Sequence, residues 1–204
     1  MKIRRFAVAA FAAISLWAAA PVSAASIASV GTTDVTVADP VLAFLSGAGI
    51  AASPIAPATA SGAAFSFPVT GGDTDSLLIA HSGGLQLSAG AAFLEATNFT
   101  IDGLGGTVSA DVSSSAFASV LQIPIFGLAA VSLAGPITAD LVINSNLNGA
   151  LGATFAGDAD LGLTGLVFGS ASTSPVPVPL PAAMPLFLLG LAIFGVLGRR
   201  RKVI

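Results

Sequence analysis

Cysteine and tyrosine are absent from the 204 residues, tryptophan and histidine occur once each, and only 8% of the residues are charged. Without cysteine there are no disulfides, so an exported domain of this composition has to hold together by burial alone. The single tryptophan, Trp17, lies in an apolar N-terminal run. The central part therefore has neither of the rings on which sugars usually stack, which speaks against a lectin site, and phenylalanine and the aliphatic residues must fill its core. Charge is scarce and also segregated. All seven bases lie near the ends, at Lys2, Arg4, Arg5, Arg199, Arg200, Arg201 and Lys202. All ten acids lie between them, at Asp34, Asp39, Asp73, Asp75, Glu95, Asp102, Asp111, Asp140, Asp158 and Asp160. The whole-chain charge of −3 thus hides a central domain with no cation. Such a domain cannot grip phosphate, and nucleic acid is excluded as a partner. Its acids keep an otherwise very apolar chain soluble.

The two ends read as targeting segments. Residues 1–24 have the form of a secretory signal peptide: Lys2, Arg4 and Arg5 as the charged region, Phe6 to Ala20 as the apolar region, and Val22-Ser23-Ala24 as a small-residue site for signal peptidase between Ala24 and Ala25. Arg4-Arg5 suggests the twin-arginine route, but Phe6-Ala7-Val8 does not continue that pattern, and the general secretory route is favoured. At the other end, residues 182–198 are almost wholly apolar. At about 1.5 Å per helical residue they reach roughly 25 Å, just enough to cross a bilayer. Gly190, Gly195 and Gly198 are tolerated in such a span. Arg199, Arg200, Arg201 and Lys202 after it predict a cytoplasmic C-terminus and an exported domain at residues 25–174.

Val178-Pro179-Leu180-Pro181-Ala182-Ala183, then the span, then the arginines, resembles the C-terminal sorting signal of VPLPA-CTERM proteins, a variant of the PEP-CTERM class. The resemblance covers residues 175–204. It implies export, inner-membrane anchoring through the C-terminal helix, and recognition at the motif by an exosortase, a membrane-embedded cysteine protease. Release or transfer to the cell surface would follow, with extracellular polysaccharide or the cell envelope as partner. The spaced prolines of residues 175–181 favour an extended, unpaired segment, a form that a protease cleft can bind as a strand.

Between the targeting segments the pattern predicts an all-β fold: a single antiparallel sandwich-like domain with one short helix. Thr107 to Ser113 alternates apolar and polar strictly, as a strand with one buried face does. Leu77 to His81 and Leu85 to Ala89 flank Ser82-Gly83-Gly84, which reads as a hairpin turn. Phe93 to Ile101 follows as a strand closed by Asp102-Gly103. Further strands are expected at Thr33 to Ala38, Ala64 to Val69, Leu121 to Leu128 and Leu161 to Phe168. Pro124 marks an edge or a bulge in one of them. The helix is expected after Gly135-Pro136, with Thr138 as cap and Ile143, Leu147, Ala150 and Leu151 at helical spacing. Pro40 to Gly62 is either a short helix or a long loop, and no repeat of 20 to 50 residues is visible.

A second resemblance rests on Ala80-His81-Ser82-Gly83-Gly84-Leu85, Asn98-Phe99-Thr100-Ile101-Asp102, Gly106 to Val112 and Leu147-Asn148-Gly149-Ala150-Leu151. In order and character these are similar to the HtaA-like domains of surface haem-uptake proteins. The resemblance implies a β-sandwich and haem held by a tyrosine with a supporting histidine. This chain has no tyrosine, and only His81 could serve.

Other sites are thinly marked. His81 beside a turn is read first as a solvated or structurally hydrogen-bonded imidazole, and second as a ligand. There is no G-x-S-x-G and no second histidine, so neither a hydrolase triad nor any other catalytic residue is assigned. Asp73 with Asp75, and Asp158 with Asp160, place carboxylates two apart and could offer oxygens to Ca²⁺, but neither pair sits in an EF-hand or nonapeptide loop. Solvated loop acids are the plainer reading. Asn98-Phe99-Thr100 matches a glycosylation sequon inside an expected strand. The expectation is a non-enzymatic cell-surface or extracellular-matrix protein without cofactor. A haem or small-ligand module and a Ca²⁺-dependent adhesin are the alternatives.

Overall fold

The computed structural model describes residues 26–27, 31–73, 76–133 and 136–174. The signal peptide, the Ala24–Ala25 junction, Asp75, the motif Val178 to Ala183, the span and the basic end lie outside the described residues. No helix among the described residues is long and apolar enough to cross a membrane.

In chain order the elements are β1 (Ser26–Ile27), β2 (Thr32–Val37), α1 (Asp39–Gly47), β3 (Ala51–Ile55), β4 (Thr59–Ser61), β5 (Ala64–Asp73), β6 (Leu78–His81) and β7 (Gly84–Ala89). They continue as β8 (Ala92–Asp102), β9 (Thr107–Ser114), β10 (Phe117–Ser132), β11 (Ile137–Ile143), α2 (Ser145–Phe155) and β12 (Val167–Thr173). All pairings are antiparallel, in the order β5-β2-β12-β11-β10-β9-β8-β7-β3, and β6 pairs with both β5 and β8. The sheet therefore closes on itself through β6 into an eight-stranded barrel, while β7 and β3 extend it at the other end. The all-β antiparallel expectation holds, with closure added.

The strands form because their side chains alternate. In β2 Val35 and Val37 face in, in β5 Phe65, Phe67 and Val69, and in β9 Val108, Ala110 and Val112. Helix α1 starts with Pro40 in its first turn, where the missing N–H costs nothing, and buries Val41 and Leu45 one turn apart. The interior is one large apolar cluster and a small one around Val69 and Ile79. Ring pairs Phe67–Phe99 at 4.9 Å and Phe126–Phe168 at 5.0 Å lie within the large one.

Four expectations are corrected. Ser82-Gly83-Gly84 is not a hairpin: β6 and β7 run on in one direction along β8, with Leu78 opposite Asp102 and Ala89 opposite Ala92. The actual hairpin turn is Gly90-Ala91, where Gly90 takes a φ of +60°. The short helix allowed within Pro40 to Gly62 is α1, and the helix expected after Gly135-Pro136 starts later than expected. Thr138 lies within β11, and the cap is Asn144, whose Oδ1 accepts from the Leu147 N–H at 3.0 Å. Residues 161–166 are turns rather than strand, with Gly162 and Gly165 both at positive φ. Finally, the segment from Pro40 to Gly62 contains, after the short helix, two strands that pair with β7 and β5. Pro124 does mark a bulge: the register on β9 shifts between Pro124 and Phe126. Its carbonyl accepts from the side-chain amides of Asn144 at 2.7 Å and Asn146 at 3.0 Å, which ties the start of α2 to β10.

Candidate functional site

The break between β6 and β7 positions the one imidazole of the chain. At Ser82-Gly83 the regular ladder lapses: the Ser82 N–H turns to the Pro68 carbonyl of β5, and the Gly83 carbonyl accepts from the Asn98 N–H of β8, both at 3.1 Å. Strand β8 answers with a bulge, its register shifting between Thr97 and Thr100 and Asn98 taking a φ of +52°. His81, the last residue of β6, is turned inward beneath this irregularity and is only 5% exposed.

Its surroundings fix its state. Nδ1 lies 3.2 Å from the Phe99 carbonyl oxygen, and Nε2 lies 2.6 Å from Thr33 Oγ1. A carbonyl only accepts, so Nδ1 carries the hydrogen and Nε2 accepts from the Thr33 hydroxyl. Thr33 Oγ1 in turn lies 2.7 Å from Thr173 Oγ1, and with its own hydrogen spent on the imidazole it accepts from Thr173. The chain runs Thr173 to Thr33 to His81 to the Phe99 carbonyl, with every donor and acceptor on it assigned. Burial pushes His81 below the usual histidine range, against the smaller opposing effect of the backbone partners Phe99 and Ile79. The ring is neutral and hydrogen-bonded, the structural reading of this residue; it is not solvated.

Thr33 and Thr173 belong to the site although the sequence analysis singled out neither. Both were legible in principle: Thr33 sits in phase with Val35 and Val37, and Thr173 with Ala171, so each is a hydroxyl on an inward-facing strand position. Above them lies an internal cavity of about 80 Å³. Phe65, Phe67, Phe99 and Phe126 are among its walls, and Thr33 and His81 are the only polar residues lining it among the described residues.

Asp75 lies outside the described residues, so only Asp73, Asp158 and Asp160 of the two carboxylate pairs can be placed. Among the described residues no group of three or more His, Asp or Glu could hold a metal ion. Asp160 Oδ1 accepts from the Gly162 N–H at 2.8 Å and from the buried Asn148 amide at 2.6 Å, and these two bonds hold its carboxyl below the usual range. It works as a loop staple together with Asn148, whose side-chain Oδ1 accepts from the Leu163 N–H. Asp158 is exposed at a φ of +68°, and Asp73 Oδ1 accepts from the Ser76 N–H at 3.0 Å. Asn98 of the sequon is likewise engaged, donating to Asp111 at 2.9 Å.

No family model and no curated protein matches the sequence. Among solved structures, the C-terminal domain of HtaA from Corynebacterium glutamicum is similar to this chain at a TM-score of 0.54 and 14% identity. The match covers 75% of this chain and 98% of that one, and the likeness is one of fold.

Proposed function

We propose that this is an exported, non-enzymatic protein of the cell surface or extracellular matrix, delivered by a C-terminal sorting signal of the VPLPA-CTERM kind. The observation that carries the reading is the order of motif, apolar span and basic end behind a domain with ten acids and no base. The last described strand ends at Thr173, two residues before the prolines start. An interior that is complete at that point supports a tail that can be removed without unfolding the domain.

The non-enzymatic part of the reading rests on His81. A base paired to a hydroxyl at 2.6 Å resembles an activated nucleophile, but the third partner is a backbone carbonyl in place of a carboxylate. Thr33 itself is only 3% exposed, and the neighbouring cavity has no other polar side chain to orient a substrate. The test is the intact mass of the protein recovered from its native surface or medium. Loss of residues 1–24, together with loss of the tail beyond the motif only in cells that hold the exosortase, is the expected result. A form that keeps residues 186–204 in both strains would make it an ordinary single-span protein.

The HtaA-like fold raises the haem-binding alternative. The residues present do not make the haem site that the resemblance implies. Tyrosine is absent, Nε2 of His81 is engaged by Thr33, and a cavity of about 80 Å³ is well short of the several hundred Å³ typical of cofactor pockets. Titration with haem should therefore leave the spectrum of free haem unchanged. A sharp Soret band of ligated haem, lost in His81→Ala, would restore the alternative.

A further inference from the structure

We propose that the end of the barrel from which the chain leaves β12 is a lipid-facing surface, and that it rests on the outer face of the membrane while the tail is uncut. This rests on reading residues 182–198 as a membrane span. Four large apolar side chains stand out at that end: Leu104 is 69% exposed, Leu133 59%, Val131 45% and Leu78 40%. Register places them together. Leu78 is opposite Asp102 at the end of β8, and Leu104 follows in the turn to β9. Ser132 of β10 is opposite Thr138, and Thr138 is opposite Ser172 of β12. Behind Val131 and Leu133 lies a small apolar pocket, with Leu77, Ile101 and Leu128 also among its walls.

What covers this end follows from where the chain goes. The Ser174 N–H reaches the Thr32 carbonyl at this end, and only residues 175–181 separate it from the span. Seven fully extended residues reach at most about 25 Å, so the apolar end cannot move further than that from the hydrocarbon. Its contact has to be apolar. No Lys or Arg lies between Arg5 and Arg199, and Asp73 and Asp102 are at this end, so nothing there attracts a lipid phosphate. The surface fits a zwitterionic phosphatidylcholine bilayer, of zero net charge, better than an anionic one. A second exposed set, Phe93, Val120, Leu121 and Val167, is at the opposite end, where no tail leaves.

The absence of native cysteine makes the test direct. Single-cysteine variants L104C, L133C and A91C are made in the exported chain, recovered from membranes of cells lacking the sorting protease. Each is labelled with a small fluorophore and reconstituted into phosphatidylcholine vesicles with brominated acyl chains. Ala91 is exposed in the turn at the far end of β8. Quenching several-fold stronger at positions 104 and 133 than at 91 is expected. Equal quenching at all three, or stronger quenching at 91, in protein that stays with the vesicles through alkaline carbonate overturns the lipid-facing end alone. A chain that carbonate strips from the vesicles overturns the span reading, and the proposal with it.

Discussion

Gly83→Ala should destabilise the domain by about 2–5 kcal/mol, the sum of a left-handed backbone penalty and an overpacking penalty. Gly83 has a φ of +81°, and a Cβ there would meet the Ala58 nitrogen at 2.5 Å and the Ile55 carbonyl oxygen at 2.8 Å. Both are backbone atoms of the turn after β3, so neither can swing aside as a side chain would. The turn and the β6–β7 break would have to separate, and with them the irregularity that faces His81 inward. Gly90→Ala is the control. Gly90 also has a positive φ, of +60°, but nothing lies within 4 Å of its added Cβ, so it should lose only about 1–2 kcal/mol. Urea denaturation followed by far-ultraviolet circular dichroism measures both, since the described domain has no tryptophan. Equal losses in the two variants would mean that close packing at Gly83 is unimportant.

Thr33→Val, nearly isosteric, should cost about 2–4 kcal/mol at neutral pH, because it strips a partner from two buried groups at once. His81 Nε2 loses its donor and the Thr173 hydroxyl loses its acceptor. Thr33→Ser keeps the hydroxyl and should lose about 1 kcal/mol, the value of a methyl group. A valine variant as stable as the serine one would show that the hydroxyl chain contributes nothing. The same group sets a pH dependence. His81 titrates below the ordinary histidine value of 6.5 in the folded state, so below about pH 6.5 the unfolded chain takes up a proton before the folded one does. Stability should be full above that pH and fall as pH drops toward the lowered folded value. The fall should vanish in His81→Gln. Asp160, held below its usual range by its bonds from Gly162 and Asn148, adds a further fall at lower pH.

Much of the sheet was legible because its strands are half-buried. Thr107 to Ser113 declares its inner face by strict alternation, and Val35 and Val37, or Phe65 and Phe67, do the same. Where the reading failed, a local signal met a longer-range one. Ile143, Leu147, Ala150 and Leu151 are at helical spacing, but Ala139, Leu141 and Ile143 also alternate, and Asn144 at the junction caps the helix and ends the strand's claim. Ala51 to Ile55 has little intrinsic strand preference and is extended because β7 offers it a partner. The glycines at 162 and 165 turned an apolar run into turns. At the site, His81 was visible as the only imidazole, whereas its partners were not. Thr33 is 48 residues away, and Thr173 is 140 residues beyond Thr33, so no local pattern could join them.

Closure of the barrel through β6 bears on how so apolar a chain, with mean hydropathy +0.93, is kept from pairing edge to edge with its own copies. An open sheet would present two rows of unpaired N–H and C=O groups, each a template for another copy, and this domain has no lysine with which to blunt them. At the closed end those groups are spent on β5 and β8. Where the sheet flares open, β3 is a short outer strand of five residues interrupted by Pro54, which has no N–H to offer. Aggregation is thus resisted by topology and by one proline, a means that does not depend on charge and that would persist if the acidic surface were neutralised.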